Sequence, residues 1–225
     1  MAQSTVLAPG NRDDMASSAQ IKKDVVKLAG LLDKASVSGD ETLNLSLGKM
    51  TPESAVACAP ALASNAAFSR LDASSNTLGP VGTAAVVDAM LARGSPVSFV
   101  DISANGMCDD GAVAIGRLLE AEALGLVELD LHANNITDPG ATALAASLQS
   151  NRSLTCLNLR ANIITDAGAA ELVKALQARG GVPMAIDMAV NELSPSGEER
   201  LSRVPGVKFY DSRQKDAAMM GMLFG

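Results

Sequence analysis

Apolar and polar positions along the chain repeat with a period of 28 or 29 residues. The two clearest copies are residues 126–136 and 154–164, which share the pattern L-x-x-L-x-L-x-x-N-x-I. The alternation of apolar and polar residues in this pattern is typical of a β-strand with one buried face. Behind the first of these copies, Gly140, Leu144 and Leu148 have the spacing of an amphipathic helix. Each copy therefore predicts a strand, a corner at the asparagine and a helix.

The pattern extends in both directions and predicts six copies over residues 40–204. The corner asparagines are Asn76, Asn105, Asn134, Asn162 and Asn191, whereas the first copy has Gly48. Their amides are expected to form a structural ladder that satisfies backbone groups of the turns. A residue expected to cap the helix follows each corner: Thr51, Gly79, Cys108, Thr137, Thr165 and Ser194. Proline or aspartate comes next, and both suit the start of a helix.

These residues resemble the leucine-rich repeat family. The repeat length of 28–29 residues and the G-A-x-x-L-A-x-x-L helix of residues 140–148 are similar to the ribonuclease-inhibitor-like subtype. The resemblance implies a right-handed α/β solenoid with a parallel sheet on its concave face and helices outside. It also implies binding to other proteins, without naming a partner.

The segments outside the repeats are expected to cover the ends of the solenoid. Polar residues 1–16 predict disorder, and residues 17–39 predict a capping helix with one apolar face. Pro60 predicts that the helix of the first repeat is short or kinked.

Residues 205–225 predict a short strand at 207–210 and an apolar tail. The tail either covers the last repeat or docks onto another protein. Its candidate contact residues are Met219, Met220, Met222, Leu223 and Phe224.

Composition narrows the classes of function. The 225 residues include 18 Lys and Arg against 25 Asp and Glu, and the net charge of -7 excludes a basic nucleic-acid-binding surface. The absence of an apolar run of about 20 residues argues against membrane insertion. Three scattered cysteines match neither a disulfide framework nor a metal motif. They favour the cytoplasm or another reducing compartment inside the cell, such as a cytoskeletal or ciliary one.

A catalytic constellation is not recognisable in the sequence. His132 is the single histidine, and Arg160 in the next copy is expected to oppose its protonation. The position of Cys156 is about 13 Å along the strand from that of His132, which is too far for a catalytic pair. We therefore expect no enzymatic activity, no metal site and no cofactor.

Outward side chains of the strands are the candidate partner-binding surface. The strand position between the two inward-facing residues holds a carboxylate in four of the repeats. These carboxylates either bind a basic segment of a partner or are simply the usual residues at this position in the family. Phe99 is an outward aromatic residue flanked by Arg70 and Glu128, and such residues often anchor interfaces. The candidate contact residues are Arg70, Asp72, Phe99, Asp101, Glu128, Asp130, His132, Asn158, Arg160 and Asp187.

The helix face of the first two repeats is a competing surface. Residues 54–69 and 73–87 contain no charge, and Ala84, Val87 and Leu91 are expected to face outward. An uncharged convex face indicates either burial against a neighbouring subunit or an alanine-rich surface without a partner.

Together these features predict a non-enzymatic scaffold or adaptor that is a subunit of a larger assembly. The alternative is a regulator of a switch protein, of the GTPase-activating or actin-filament-end-binding class, because both classes share this repeat subtype.

Overall fold

The computed structural model describes residues 12–38 and 41–204 of the chain. The helices in these ranges are α1 (Arg12–Ser38), α2 (Pro52–Ser64), α3 (Gly79–Ala92), α4 (Cys108–Glu120), α5 (Asp138–Leu148), α6 (Asp166–Ala178) and α7 (Pro195–Ser202). The strands are β1 (Thr42–Asn44), β2 (Arg70–Asp72), β3 (Phe99–Asp101), β4 (Glu128–Asp130), β5 (Cys156–Asn158) and β6 (Ala185–Asp187). A 3₁₀ turn, Glu122–Leu124, lies between α4 and β4.

The six strands form one parallel sheet in chain order, and each strand pairs with the strand of the next repeat. The middle residue of every strand is buried under the helices, while the residues on either side are more exposed. These middle residues are Leu43, Leu71, Val100, Leu129, Leu157 and Ile186. The predicted α/β solenoid of six strand–helix units is confirmed.

The corner asparagines link consecutive repeats. The Asn134 amide nitrogen donates to the carbonyls of Ile102 and Leu131, and its oxygen accepts from the backbone N–H groups of Asn105 and Met107. The other four asparagines make equivalent bonds. Buried turn carbonyls that would lack partners are thereby satisfied along the whole solenoid.

Aspartates at the helix starts make a second set of links between repeats. Asp138 accepts from the Thr165 N–H at 2.8 Å, the Thr165 hydroxyl at 2.7 Å and the Gly168 N–H at 3.0 Å. Asp109 binds the start of α5 in the same way, and Asp166 binds that of α7 through Ser194. We call Asp109, Asp138 and Asp166 the helix-start row.

The predicted helix caps need correction at three positions. Thr51, Thr165 and Ser194 accept a hydrogen bond from their own helix, whereas Thr137 only donates its hydroxyl to Asp109. Gly79 and Cys108 are the first residues of their helices and not the caps. Both have a left-handed backbone, with φ of 57° and 54°. They donate their N–H groups to the backbone carbonyls of the corner residues Asn105 and Asn134.

The capping helix α1 packs against α2 and β1 and is longer than predicted, since it begins at Arg12. Leu28 and Leu32 are buried in the core. The buried Asp24 accepts from the Ser54 hydroxyl at 2.5 Å. Ser54 occupies the position of the helix glycine in later repeats. Asp24 thus accepts a hydrogen bond from the start of α2, as the helix-start row accepts hydrogen bonds from the starts of later helices.

The predicted disorder of residues 1–16 is wrong for residues 12–16, which belong to α1. Residues 1–11, and residues 205–225 with the predicted strand at 207–210 and the apolar tail, lie outside the described residues.

Two predictions about the first helices are wrong. Of the two alternatives for Pro60, a short helix α2 is wrong, since α2 has 13 residues, like α4 and α6, while a kink stays a prediction. Pro60 is exposed, so the carbonyl left without a backbone donor lies on the solvent side. Val87 does not face outward but is fully buried, because its position faces the next helix, as Gly116 of α4 faces Ser147 of α5.

Candidate protein-binding surface

The sheet register brings the predicted concave residues together. Arg70, Phe99 and Glu128 are direct neighbours across β2, β3 and β4. The next outward column runs along the ends of the strands as Asn44, Asp72, Asp101, Asp130, Asn158 and Asp187. We call its four carboxylates the concave row. His132 and Arg160 follow the strand ends of β4 and β5.

Arg70 covers Phe99 and reaches Glu128. The Arg70 guanidinium carbon lies 4.2 Å from the centroid of the Phe99 ring, and its Nη2 lies 3.8 Å from Glu128 Oε2. Stacking of this kind contributes about 0.5–1 kcal/mol at an exposed site. The three side chains therefore form a pre-arranged group with an apolar ring between a cation and an anion.

The concave row has a local structural role. The carboxylates of Asp72 and Asp101 accept the backbone N–H groups of Ser74 and Ser103, two residues further on. Asn158 makes the same bond with its amide oxygen, at 3.0 Å to the Arg160 N–H. An oxygen acceptor at this position thus holds the turn after each strand. Because asparagine serves equally well, the turn requires the oxygen and not the negative charge.

Charge on Asp101 and Asp187 of the concave row is unfavourable to the folded chain. Burial raises the pKa of Asp101, and the neighbouring Asp130 and Asp72 raise it further. Burial also raises the pKa of Asp187, with Asp130 adding to it. The ionised carboxylates are therefore stabilised less in the protein than in water.

His132 is held by Asp130. Its Nδ1 lies 2.9 Å from Asp130 Oδ1, while Asn158 donates to Oδ2 at 2.9 Å. The hydrogen bond to Asp130 raises the pKa of His132, although burial and Arg160 act in the opposite direction. Arg160 does oppose protonation as predicted, but Asp130 outweighs it. Asp130 is thus compensated within the chain, unlike Asp101.

Two of the three cysteines have thiols that are not activated. Burial raises the pKa of both Cys58 and Cys156 to about 11, so these thiols stay protonated at neutral pH. The exposed Cys108 donates weakly to the Gly106 carbonyl. Within residues 12–38 and 41–204, no three His, Cys, Asp or Glu side chains are grouped to hold a metal ion. None of the described helices has the length and apolar character to cross a membrane.

The helix face of repeats one to three carries exposed valines that the sequence analysis did not identify as candidate contact residues. Val56, Val81 and Val113 are 51%, 61% and 55% exposed, and the half-buried Ala84 lies between them. Val56, Ala84 and Val113 occupy one position of the repeat, so the 28–29 residue period was the signal that could have found them. We call these four residues the convex valine patch.

Comparison with known families agrees with this architecture. The family model described as Leucine Rich repeat matches residues 126–145 and 150–173, which lie in the fourth and fifth repeats. The matched residues, the parallel sheet and the regular helices are together consistent with an α/β leucine-rich repeat solenoid. Leucine-rich repeats generally mediate protein–protein interaction and are typically non-enzymatic. No curated protein matches the chain.

Proposed function

We propose that the chain is a non-enzymatic adaptor or scaffold that binds a basic segment of another protein on its concave sheet. The observation that carries this proposal is the under-compensated concave row. Partial burial raises the pKa of Asp101, and its neighbours Asp130 and Asp72 on the adjacent strands raise it further. A lysine or arginine from a partner placed over Asp101 relieves this repulsion, so binding gains energy that the free protein lacks.

The group of Arg70, Phe99 and Glu128 supplies the second part of the recognition. It lies directly beside Asp72 and Asp101 on the same strands. Its apolar ring favours an aliphatic or aromatic side chain next to the partner's cation, and anchors of this kind dominate binding energies. The partner segment is therefore expected to combine basic and apolar residues.

The convex valine patch supports a role as a subunit of an assembly. A helix face with neighbouring exposed valines is typical of a surface that contacts another subunit. An adaptor needs two such surfaces, one for each protein that it joins. We assign the concave sheet to the basic partner and the convex valine patch to the neighbouring subunit.

Selection from a random displayed peptide library tests the concave assignment even though the partner is unidentified. The native chain is expected to enrich peptides that contain Lys or Arg beside apolar residues. A variant with Asp72→Asn and Asp101→Asn keeps the turn acceptors, as Asn44 and Asn158 do, but is expected to lose that enrichment. The matched control, Glu53→Gln with Asp110→Asn, removes two exposed charges from helix starts and should behave as the native chain. Equal loss in both variants, or enrichment of acidic peptides, contradicts the proposal.

A further inference from the structure

The last helix covers only half of its neighbour. Helix α7 has eight residues, whereas α6 has 13, and both begin at the same position of the repeat. Ser202, the last residue of α7, therefore corresponds to Val173 in the middle of α6. Among residues 41–204, no helix of the next repeat lies beside the second half of α6.

Core positions in the uncovered half are incompletely buried. Val173 corresponds to Val87 and Ala145, which are 0% and 2% exposed, but it is only half-buried. Leu176 is likewise half-buried, whereas its equivalents Met90, Leu119 and Leu148 are fully buried. The Val173 position is half-buried at Ala59 of α2 too, but the Leu176 position is fully buried in every earlier repeat, Leu62 included. The partial exposure of Leu176 therefore indicates a missing packing partner.

The missing partner has a groove of defined chemistry to occupy. The groove runs between α7 and the first half of α6 and reaches Val173, where the uncovered half begins. It is lined by Ala169, Ala170, Val173, Gly197 and Leu201, together with the charged Asp166 and Arg200. An apolar segment without charge fits these walls, whereas the basic segment proposed for the concave sheet does not.

We propose that residues 217–224 of this same chain occupy the groove and cap the solenoid. The segment A-A-M-M-G-M-L-F carries no charge and has three methionines, which adapt to irregular apolar surfaces. Val204, the last described residue, lies three residues after Leu201 of the groove. The intervening residues 205–216 reach up to about 40 Å when extended, while α6 is only about 20 Å long. An intramolecular cap also avoids the entropy cost of recruiting a second molecule.

Hydrogen exchange of the full chain tests this cap. Leu223→Asp with Phe224→Asp is expected to speed amide exchange at residues 174–178 of α6 at least tenfold. Exchange at residues 117–120, the equivalent turn of α4, should stay the same. The matched control, Ser212→Asp with Gln214→Asp, adds the same charges to polar positions of residues 205–216 and should change neither turn. Equal exchange at residues 174–178 in the native chain and the tail variant overturns the proposal.

A second measurement identifies the occupant. Photo-methionine incorporated into the chain is expected to cross-link residues 219–222 to residues 169–173 within one molecule. Protection of residues 174–178 should not change on tenfold dilution. Cross-links between two molecules, or protection that falls with dilution, assign the groove to a second copy and overturn the intramolecular cap.

Discussion

Two rows of aspartates run along the same repeats with opposite electrostatics. In the helix-start row, burial acts to raise the pKa of Asp138, but hydrogen bonds from Thr165 and Gly168 outweigh it and lower the pKa overall. In the concave row, burial raises the pKa of Asp101 and its acidic neighbours add to the effect. Hydrogen-bond donors of the chain stabilise the negative charge of the helix-start row. The fold does not need the negative charge of the concave row.

The sequence around each row explains the difference. In the helix-start row, a Cβ on Gly168 would lie 2.5 Å from Asp138 Oδ1, so the repeat glycine makes room for the carboxylate. In the concave row, Asn158 performs the same turn function as the aspartates. Aspartate is therefore a structural requirement in the first row and an excess of charge in the second, which leaves the second available to a partner.

The largest loss of stability should come from an aspartate introduced into the core, outside both rows. Leu131 is fully buried between the sheet and the helices. Leu131→Asp places an unpaired charge there, and we expect a loss of at least about 4 kcal/mol in the free energy of unfolding. Urea denaturation followed by circular dichroism measures it. An unchanged midpoint would contradict the assignment of Leu131 to the core.

Removal of a helix-start carboxylate should have the next largest effect. Asp138→Ala leaves the donors of Thr165 and Gly168 without their acceptor, and we expect a loss of about 1–3 kcal/mol at neutral pH. The same urea titration measures this loss. The exposed Asp110→Ala is the control and should change stability by less than about 0.5 kcal/mol.

The pH dependence of the Asp138→Ala effect has a definite sign. Because the folded-state pKa of Asp138 is lowered, its stabilisation is present above the unfolded-state pKa of about 4 and is lost as the pH falls through the folded-state pKa. The stability difference between native chain and variant should therefore shrink in acid. A difference that stays constant down to strongly acid pH contradicts the hydrogen-bonded carboxylate.

Loss of the aromatic anchor should affect binding and leave the fold intact. Phe99→Ala removes the ring under Arg70, and we expect a concave-face ligand to bind more weakly by at least about 1 kcal/mol. Calorimetric titration of a library-selected peptide measures this loss. Val113→Ala, on the convex face, is the control and should not change the affinity. If Phe99→Ala also leaves the affinity unaltered, Phe99 is not part of the binding surface.

Neutralisation of a carboxylate in the concave row should change stability the least, and it should increase the free energy of unfolding instead of lowering it. Asp101→Asn keeps the acceptor for the Ser103 N–H and removes the half-buried charge, so we expect a gain of up to about 1 kcal/mol at neutral pH. Since the folded-state pKa of Asp101 is raised, the gain should vanish in acid, where the native carboxyl is protonated. Thermal unfolding at neutral and acid pH measures both, and a destabilised variant at neutral pH would contradict the contrast between the rows.

The repeat period predicts the features that depend on local spacing. Leu129 and Leu131 face the core because strand residues alternate, and the neighbours of Phe99 follow from the period alone. Features that depend on how helices lie against each other were not predictable. Val87 is buried because α4 lies beside it, which helical periodicity within α3 does not reveal. The bond between Asp138 and Thr165 likewise needs two helix starts brought together across 27 residues.

The affinity of the concave sheet for a basic ligand tests the central claim most directly. The probe is a synthetic peptide of alternating lysine and leucine, titrated into the native chain and into the two charge variants. We predict that Asp72→Asn with Asp101→Asn weakens binding on the order of fivefold, or about 1 kcal/mol. Glu53→Gln with Asp110→Asn should leave the affinity unchanged, although it removes the same charge from the helix side. Equal weakening by both pairs would show that the peptide responds only to net charge and would contradict a binding site on the concave row.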